Sequence, residues 1–283
     1  MKEMCRFSLL TVCLNPGEKL RTTLESALAQ TYSRFEVIIK DGGSRDGSLE
    51  AVSDLLKDER IRVFTEKDTG IYDAMNQAVA HARGEYVFFL NCGDRLYDEK
   101  VLEHISEEID RILASEKNRE DSGRDAQRHL IYGNVYSGKN NVWIIPAPQI
   151  DGFTCYRNVP CHQACFYETA LCLEKPFEVN YRIRGDYEHF LWCFYRGNAR
   201  MHYVNVPVAE YEGGGYSETK ENLKRSKVEH AEITKKYMKS EELFRYKAVM
   251  LLTLAPLRTY LSESRHFAGI YSRIVKGFYQ KRS

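Results

Sequence analysis

The stretch from Gly70 to Asp94 constrains the fold of this chain more than any other part of the sequence. Between Ile71 and Ala82, apolar residues recur at the spacing of one helix face, which predicts an amphipathic helix. Gly84 is suited to end that helix, since glycine tolerates the left-handed backbone conformation that follows many helices. The apolar and aromatic run from Tyr86 to Leu90 then predicts a short strand that is buried on both faces.

The chain turns polar at the end of this predicted strand, with Asn91, Cys92, Gly93 and Asp94 in succession. Open α/β sheets bind ligands beyond the carboxyl ends of their strands, so Asp94 is placed where a ligand would be bound. Glycine followed by aspartate is also common in ordinary turns. Position alone therefore leaves a ligand-binding role and a simple turn equally open.

The upstream part of the chain repeats this pattern. Strands are predicted over 7–13, 35–39 and 61–64, with helical patterns between them. The polar residues that follow the four strands are Asn15, Asp41, Lys67 with Asp68, and Asp94. Such alternation predicts an α/β fold with a mostly parallel sheet, flanking helices and right-handed crossovers. The sequence lacks the glycine fingerprint of dinucleotide-binding folds, the P-loop and the nucleophile elbow of α/β-hydrolases.

Composition narrows the class of protein further. The formal net charge of +1 over 283 residues gives no argument for nucleic acid as a partner. Eight scattered cysteines, with no signal peptide before the first strand pattern, predict reduced thiols and a cytoplasmic location. Cys161, His162 and Cys165 lie close in sequence, but no Cys-x-x-Cys pair completes a zinc set, so ordinary packing is the favoured interpretation there.

Four short segments in this order resemble family 2 glycosyltransferases, and in particular the bacterial enzymes of capsule, colanic-acid and O-antigen assembly. The segments are Thr11–Asn15, Asp41–Gly47, Asp68–Asn76 and Phe89–Asp94. The resemblance implies the GT-A fold, a nucleotide-sugar donor, a divalent cation and inversion at the anomeric carbon.

The resemblance also implies roles for individual residues on the donor side. Asp41 matches the carboxylate that reads the nucleotide base, and Thr11 and Asn15 match the loop beside that base. Lys67 and Asp68 belong to the same nucleotide-binding group. Asp94 matches the last acid of the Asp-x-Asp motif, which holds Mg²⁺ or Mn²⁺ in this family. Cys92 replaces the first acid of that motif, so Asp94 is left as its single hard anionic ligand.

Further residues match the acceptor side and the chemical step. His162 and Gln163 resemble a segment near the acceptor, although a lone histidine is more often a packed residue. Asp186 opens a predicted helix and matches the catalytic base of the family, with Glu188 as the second choice. A carboxylate in a first helical turn is also a common N-cap, so the residue pattern by itself leaves that reading open.

Two loops are expected to border this site. The segment from Glu210 to Ser217, which includes Gly213 and Gly214, resembles the glycine-rich loop that closes over the donor. The segment 146–160 is long for a plain connection and is either an active-site lid or disordered. Residues 199–208 are expected to form two strand pieces, broken near Pro207.

The domain prediction is a GT-A domain over 1–217 followed by a C-terminal helical extension over 218–283. Residues 243–283 carry eight Lys and Arg against one acid, and their apolar run is too short to span a bilayer. An interfacial helix at the inner membrane and a helix packed on the domain both fit this pattern.

The function predicted from these observations is an inverting glycosyltransferase of cell-surface polysaccharide synthesis. Its donor is a nucleotide sugar, with UDP as the expected nucleotide, and its acceptor is a saccharide or a lipid-linked hydroxyl. The alternatives are an inactive relative that serves as a membrane-bound assembly partner, and a carbohydrate-binding module without chemistry.

Overall fold

The computed structural model describes residues 5–117, 127–213 and 219–253. The chain divides into two compact units, Met1–Ile233 and Thr234–Ser283. The boundary predicted at 217/218 and the predicted loop residue Gly214 lie outside the described residues, as does most of the basic tail.

The strands of the first unit lie mostly in segments that are rich in apolar and aromatic residues. They are β1 Phe7–Cys13, β2 Phe35–Asp41, β3 Ile61–Thr65, β4 Tyr86–Phe89, β5 Arg95–Leu96, β6 His129–Ser137, β7 Val142–Ile144, β8 Cys165–Glu168 and β9 Arg200–Tyr211. The strands predicted around the four polar loops are thereby confirmed.

The helices fall where the sequence has helical periodicity. They are α1 Lys19–Leu28, α2 Ser48–Ala51, α3 Ile71–Ala80, α4 Val101–Lys117, α5 Gly152–Arg157, α6 Thr169–Glu174, α7 Gly185–Tyr195, α8 Lys220–Tyr237 and α9 Ser240–Leu252. Short 3₁₀ turns occur at Leu55–Lys57 and His162–Ala164.

The described strands form one mixed sheet in the order β3-β2-β1-β4-β8-β6-β9-β5, with β7 paired to β6. The first four strands of that order are parallel, so their carboxyl ends share one edge as predicted. From β4 onward most pairings are antiparallel, while β6 and β9 run parallel. The α/β prediction is confirmed, and the parallel character is confined largely to the half of the sheet built from the first ninety residues.

The core forms where the periodic apolar faces of the helices meet the sheet. Strand β1 contributes Phe7 and Leu9, which are fully buried. The apolar stripe of α4, represented by Val101, Ile105 and Ile109, is also fully buried in this core, as its spacing predicts. Helix α3 packs on β1 and β2, which fixes the loop before it at the carboxyl edge of the sheet.

The expectation of a broken strand is wrong, and so is that of a disordered loop, whereas the lid role of residues 146–160 stays a prediction. Residues 200–211 form one strand rather than two pieces, because the register with β6 shifts at Asn134 and Pro207 and absorbs the residue that lacks an N–H group. The segment predicted as a lid or a disordered loop contains helix α5, whose N-cap Asp151 accepts a hydrogen bond from the backbone of Thr154 at 2.7 Å.

The second unit is described only as far as residue 253, through the end of α8 and helix α9. Helix α9 exposes Phe244, Leu251 and Leu252 to more than half of their maximum. In the described parts of the chain, we find no helix with both the length and the apolar character needed to cross a membrane.

Candidate active site

An open cavity of about 370 Å³ lies at the carboxyl ends of β1 and β4. Its wall combines residues from the loop after β1, the start of α3, the loop after β4, the 3₁₀ turn at 162–164, the segment before α7 and the end of β9. The lining residues with polar or thiol side chains are Cys13, Lys19, Tyr72, Asn91, Cys92, Asp94, His162, Gln163, Arg182, Asp186, Tyr211 and Glu212. The predicted metal ligand, the predicted base and the predicted acceptor residues therefore share one cavity.

Asp94 is fixed by the turn that follows β4. Its backbone N–H donates to the carbonyl of Asn91 at 3.0 Å, and its own carbonyl accepts the hydroxyl of Thr23 at 2.9 Å. The carboxylate is only 4% exposed, and Oδ1 accepts the backbone N–H of Glu212 at 3.1 Å. Burial raises the pKa of Asp94 to about 6, with a further contribution from the charge of Glu212.

Glu212 is a second acid at this site that the sequence analysis did not single out. It follows β9 directly, and Oε2 lies 2.5 Å from Nζ of Lys19. Gly93 has a φ of 98°, which favours glycine, and a Cβ atom there would stand 2.3 Å from the same oxygen and displace the Glu212 carboxylate. The signal available in the sequence was its position immediately before three glycines.

These residues fit a divalent cation. Asp94 and Glu212 supply hard carboxylate oxygens, which Mg²⁺ and Mn²⁺ prefer. The raised pKa of Asp94 means that burial disfavours its charged form, and a bound cation would offset this loss of solvation. Cys92, which occupies the position of the missing acid, also lines the cavity, but a thiol is a poor ligand for a hard cation.

Asp186 lies in the first turn of α7, where the helix dipole favours an anion. Oδ1 accepts the hydroxyl of Tyr72, from the start of α3, at 3.1 Å. A Cβ atom at Gly185 would stand 2.7 Å from the Tyr72 ring, so glycine is needed there for the two helices to approach. Burial, together with the charge of Asp186, raises the pKa of Tyr72 well above its ordinary value, which keeps the phenol protonated as a donor.

Glu188, the second candidate for the catalytic base, contacts Lys175 rather than the cavity. Its side chain is fully buried, and Oε2 lies 3.1 Å from Nζ of Lys175. It does not appear among the described residues that line the cavity. Since a buried carboxylate paired to a lysine serves packing, the geometry favours Asp186 over Glu188 as the base.

His162 and Gln163 line the cavity from the 3₁₀ turn before β8. The His162 ring stacks on Phe89 at 4.9 Å, and its Nδ1 lies 3.3 Å from the hydroxyl of Tyr167. Its Nε2 is buried without a hydrogen-bond partner among the described residues, and burial lowers the pKa of the imidazole. The Gln163 amide hydrogen-bonds the Asp94 carboxylate and lowers its pKa.

The loop predicted to bind the nucleotide base is built around Asp41. Its carboxylate is 1% exposed and accepts backbone N–H groups of Gly43 at 3.0 Å and Ser44 at 3.1 Å. Asn15, in the left-handed region with φ of 51°, accepts the N–H of Arg45 on its side chain at 2.8 Å. These bonds join the loops after β1 and β2 into one polar surface.

The remaining predicted nucleotide-binding residues have internal partners. The hydroxyl of Thr11 donates to the carbonyl of Leu90 at 2.9 Å, and Asp68 forms an ion pair with the fully buried Lys40. Lys67 is exposed, and its carbonyl accepts the Gln77 amide at 3.1 Å. None of these five predicted residues, Thr11, Asn15, Asp41, Lys67 and Asp68, is among the described residues that line the cavity. The end of β1 and the loop after it line the cavity through Cys13, Leu14 and Pro16.

A buried acid from α8 shapes one wall of the cavity and was missed in the sequence. The Glu229 carboxylate accepts the backbone N–H groups of Arg182, Ile183 and Arg184 at 3.0, 3.0 and 2.8 Å. Arg182 and Ile183 line the cavity, and α7 with Asp186 follows at once. Nothing in the helical pattern around Glu229 separates it from the other charged residues of α8.

Comparison with solved structures defines the class of protein. Staphylococcus aureus TarS 1–349 in complex with UDP superposes with a TM-score of 0.64 at 16% identity, over 92% of this chain and 73% of that chain. In a second structure of the same fragment, the match covers 60% of that chain. The mannosyltransferase PcManGT from Pyrobaculum calidifontis, in complex with GDP-Man and Mn²⁺, gives a TM-score of 0.61 at 13% identity, over 96% of this chain and 84% of that chain. The fold is therefore the GT-A fold of glycosyltransferases.

Sequence comparison then gives the family. The profile described as glycosyl transferase family 2 matches residues 8–165. A PGL/p-HBAD biosynthesis glycosyltransferase from Mycobacterium bovis is 33% identical over 77% of this chain and 83% of its own length. The chain belongs to glycosyl transferase family 2, and it is a glycosyltransferase.

Proposed function

We propose that this enzyme transfers a sugar from a nucleotide-sugar donor to an acceptor hydroxyl by a single displacement with inversion at the anomeric carbon. The observation that carries the proposal is that Asp94 and Asp186 line the same cavity, one beneath the end of β4 and the other at the start of α7. An acid for the diphosphate side and a base for the acceptor, on different elements of one cavity, are the two groups that such a displacement needs.

Asp186 acts as the general base in this proposal. It accepts the proton of the acceptor hydroxyl as that oxygen attacks. The hydrogen bond from Tyr72 to Oδ1 holds the Asp186 carboxylate in place. Asp94 and Glu212 would hold Mg²⁺ or Mn²⁺, which supplies Lewis-acid stabilisation of the nucleoside diphosphate leaving group. Glu188 serves packing through Lys175 and takes no part in proton transfer.

The proposed donor is a UDP-sugar, with a dTDP-sugar as the second choice. An aspartate such as Asp41 accepts a hydrogen bond from an imino N–H, which uracil and thymine both offer. Its carboxylate accepts the backbone N–H groups of Gly43 and Ser44 and the thiol of Cys13, three donors for two oxygens that offer about four acceptor positions. The UDP complex of TarS supports the same choice, whereas the GDP-Man complex of PcManGT supports another.

The proposed acceptor is a saccharide or a lipid-linked hydroxyl in cell-surface polysaccharide synthesis, met at an anionic membrane surface. The basic residues of 243–283 and the exposed Phe244, Leu251 and Leu252 of α9 support this contact.

The full chain should co-sediment with anionic vesicles and not with neutral ones, and high salt should weaken the association. Equal co-sedimentation with both vesicle types would overturn the membrane proposal and leave the enzymatic one untouched.

Donor hydrolysis and transfer, followed with a panel of nucleotide sugars with Mn²⁺ or with chelator, test the central proposal. Asp186→Asn should lower transfer about 10²- to 10⁴-fold while donor affinity stays within a few-fold. Asp73→Asn is the matched control, because Asp73 also lies in a first helical turn but does not line the cavity. Retained transfer in Asp186→Asn, or a product with retained anomeric configuration by NMR, would overturn the mechanism.

A further inference from the structure

A second group of metal-ligand side chains lies outside the active-site cavity. Glu116 of α4, His129 of β6 and His202 of β9 each offer one ligand atom, and these atoms lie within 4.8 Å of one another. None of the three is among the residues that line the cavity, and the proposed reaction uses none of them.

The fold brings these residues together through strand register. Strands β6 and β9 pair in parallel, with His129 opposite Arg200 and Ile131 opposite His202. Alternate residues of a strand share a face, so the side chains of His129, Arg200 and His202 leave the sheet on the same side. Helix α4 packs on β9, and its last turn holds Glu116 over that face.

The contacts among the three side chains are as short as those around a tetrahedral zinc ion, with His129 turning a different ring nitrogen to each neighbour. His129 Nδ1 lies 3.1 Å from His202 Nε2, His129 Nε2 lies 3.4 Å from Glu116 Oε2, and His202 Nε2 lies 3.8 Å from Glu116 Oε1. Bonds of about 2.0–2.2 Å to a tetrahedral ion place neighbouring ligand atoms about 3.4 Å apart. One ligand atom from each residue lies within 4.8 Å of the others, so a single ion is bound once these atoms turn toward a common point and His129 uses one nitrogen.

Burial and charge at the cluster suit a cation that enters from one side. Glu116 and His129 are 7% exposed, while the His202 side chain keeps 20% of its exposure, which leaves a path for the ion. The carbonyl end of α4 also places negative potential beside Glu116.

Arg200 is the principal competitor for Glu116. Its guanidinium lies 2.6 Å from Oε1, so the ion pair neutralises the carboxylate when no metal is present. The second oxygen, Oε2, faces His129. Hydrogen bonds from an arginine to a ligating carboxylate are a common way to orient it, so Arg200 is compatible with a metal on Oε2.

We propose that Glu116, His129 and His202 bind Zn²⁺ at a site separate from the proposed Mg²⁺ or Mn²⁺ site at Asp94. Two imidazoles and one carboxylate leave the fourth tetrahedral position for water. Imidazole ligands select zinc over the hard cations that carboxylates and diphosphate oxygens prefer, so the two sites sort different metals. Bound Zn²⁺ would fasten the end of α4 to β6 and β9.

Equilibrium dialysis with Zn²⁺ after chelator treatment, with metal content read by mass spectrometry, tests this proposal on the full chain. The wild type should bind one Zn²⁺ more than His202→Ala, and Zn²⁺ should raise the melting temperature of the wild type but not that of His202→Ala. Asp94→Asn should keep the extra Zn²⁺. His104→Ala, which removes an exposed histidine of the same helix, is the matched control and should also keep it.

Cobalt spectroscopy separates this site from the eight thiols of the chain. Co²⁺ in the wild type should give tetrahedral visible bands without a thiolate charge-transfer band, and Glu116→Gln should weaken binding more than tenfold. Equal Zn²⁺ content in the wild type and His202→Ala, with circular dichroism showing both folded, would overturn the proposal and identify the cluster as a metal-free hydrogen-bond network. If His202→Ala fails to fold, Glu116→Gln decides by the same dialysis: unchanged Zn²⁺ content there overturns the proposal.

Discussion

The hydroxyl of Tyr72 donates a hydrogen bond to Oδ1 of Asp186 across 3.1 Å, which joins the first turn of α3 to the first turn of α7. The two residues are 114 positions apart in the sequence. This bond ties the carboxylate proposed as the base to the helix that begins the central helix–strand unit of the fold. Asp186 lines the cavity, and the oxygen that Tyr72 does not contact is the one we propose as the proton acceptor.

Tyr72→Phe should therefore lower the rate of transfer about 10- to 100-fold, because a hydrogen bond to a charged group contributes about 1.5–3 kcal/mol. Donor affinity, measured by titration calorimetry, should stay within a few-fold. Tyr187→Phe is the matched control, since its hydroxyl donates to the carbonyl of Cys155 at 2.7 Å away from the cavity lining. The idea fails if both variants lose transfer equally.

Glu212 should contribute to cation binding beside Asp94. We expect Asp94→Asn to abolish Mn²⁺-dependent donor binding, and Glu212→Gln to weaken Mn²⁺ affinity about 10- to 100-fold. Glu210→Gln removes an acid two residues earlier on β9 that pairs with Arg95 and does not line the cavity. Titration of Mn²⁺ in the presence of UDP measures all three. Unchanged Mn²⁺ affinity in Glu212→Gln would leave Asp94 as the single protein ligand among the described residues.

Glu229 should act as a positioning residue for the segment before Asp186. In Glu229→Gln one of the two acceptor oxygens becomes an amide donor that faces backbone N–H groups, so the Arg182–Arg184 segment should shift. We expect kcat to fall while donor affinity is kept, together with a loss of about 2 kcal/mol in the free energy of unfolding. Glu232→Gln, an exposed change further along α8, is the control. An intact kcat with the same loss of stability would reduce Glu229 to a purely structural role.

His189 should make the protein sensitive to acid. Burial lowers the pKa of this imidazole to about 3, and its ring stacks on Phe177 at 4.4 Å. The unfolded chain binds a proton on this residue below its ordinary pKa of 6.5, whereas the folded chain does not until about pH 3. The stability that His189 contributes is therefore complete above pH 6.5 and is lost as the pH falls toward 3, by at most about 1.4 kcal/mol per pH unit.

His189→Phe should flatten the pH dependence of the urea midpoint between pH 6.5 and 4, because phenylalanine fills a similar volume and binds no proton. The comparison is made between the two proteins at each pH, so the carboxylates common to both cancel. Parallel curves for the wild type and the variant would show that His189 titrates alike in the folded and unfolded chains.

The local parts of this fold follow from sequence pattern. The apolar stripe of α3, the buried run of β4 and the inward face of α4 all depend on residues within one or two turns of each other. Periodicity records such neighbours directly. The positions of Asp94 after a strand and of Asp186 in a first helical turn are local in the same sense, because each depends on where one element ends or begins.

The relationships between distant elements depended on the tertiary structure. Glu212 reaches the turn beside Asp94 because β9 pairs with β5, an antiparallel pairing that no local pattern specifies. Asp186 and Glu188 lie about 200° apart around one helix, so the packing of α7 decided which of them meets the cavity and which meets Lys175. Helical and strand periods indicate which face is apolar, but the neighbours of each face are set by the order of strands in the sheet, and that order is a property of the whole chain.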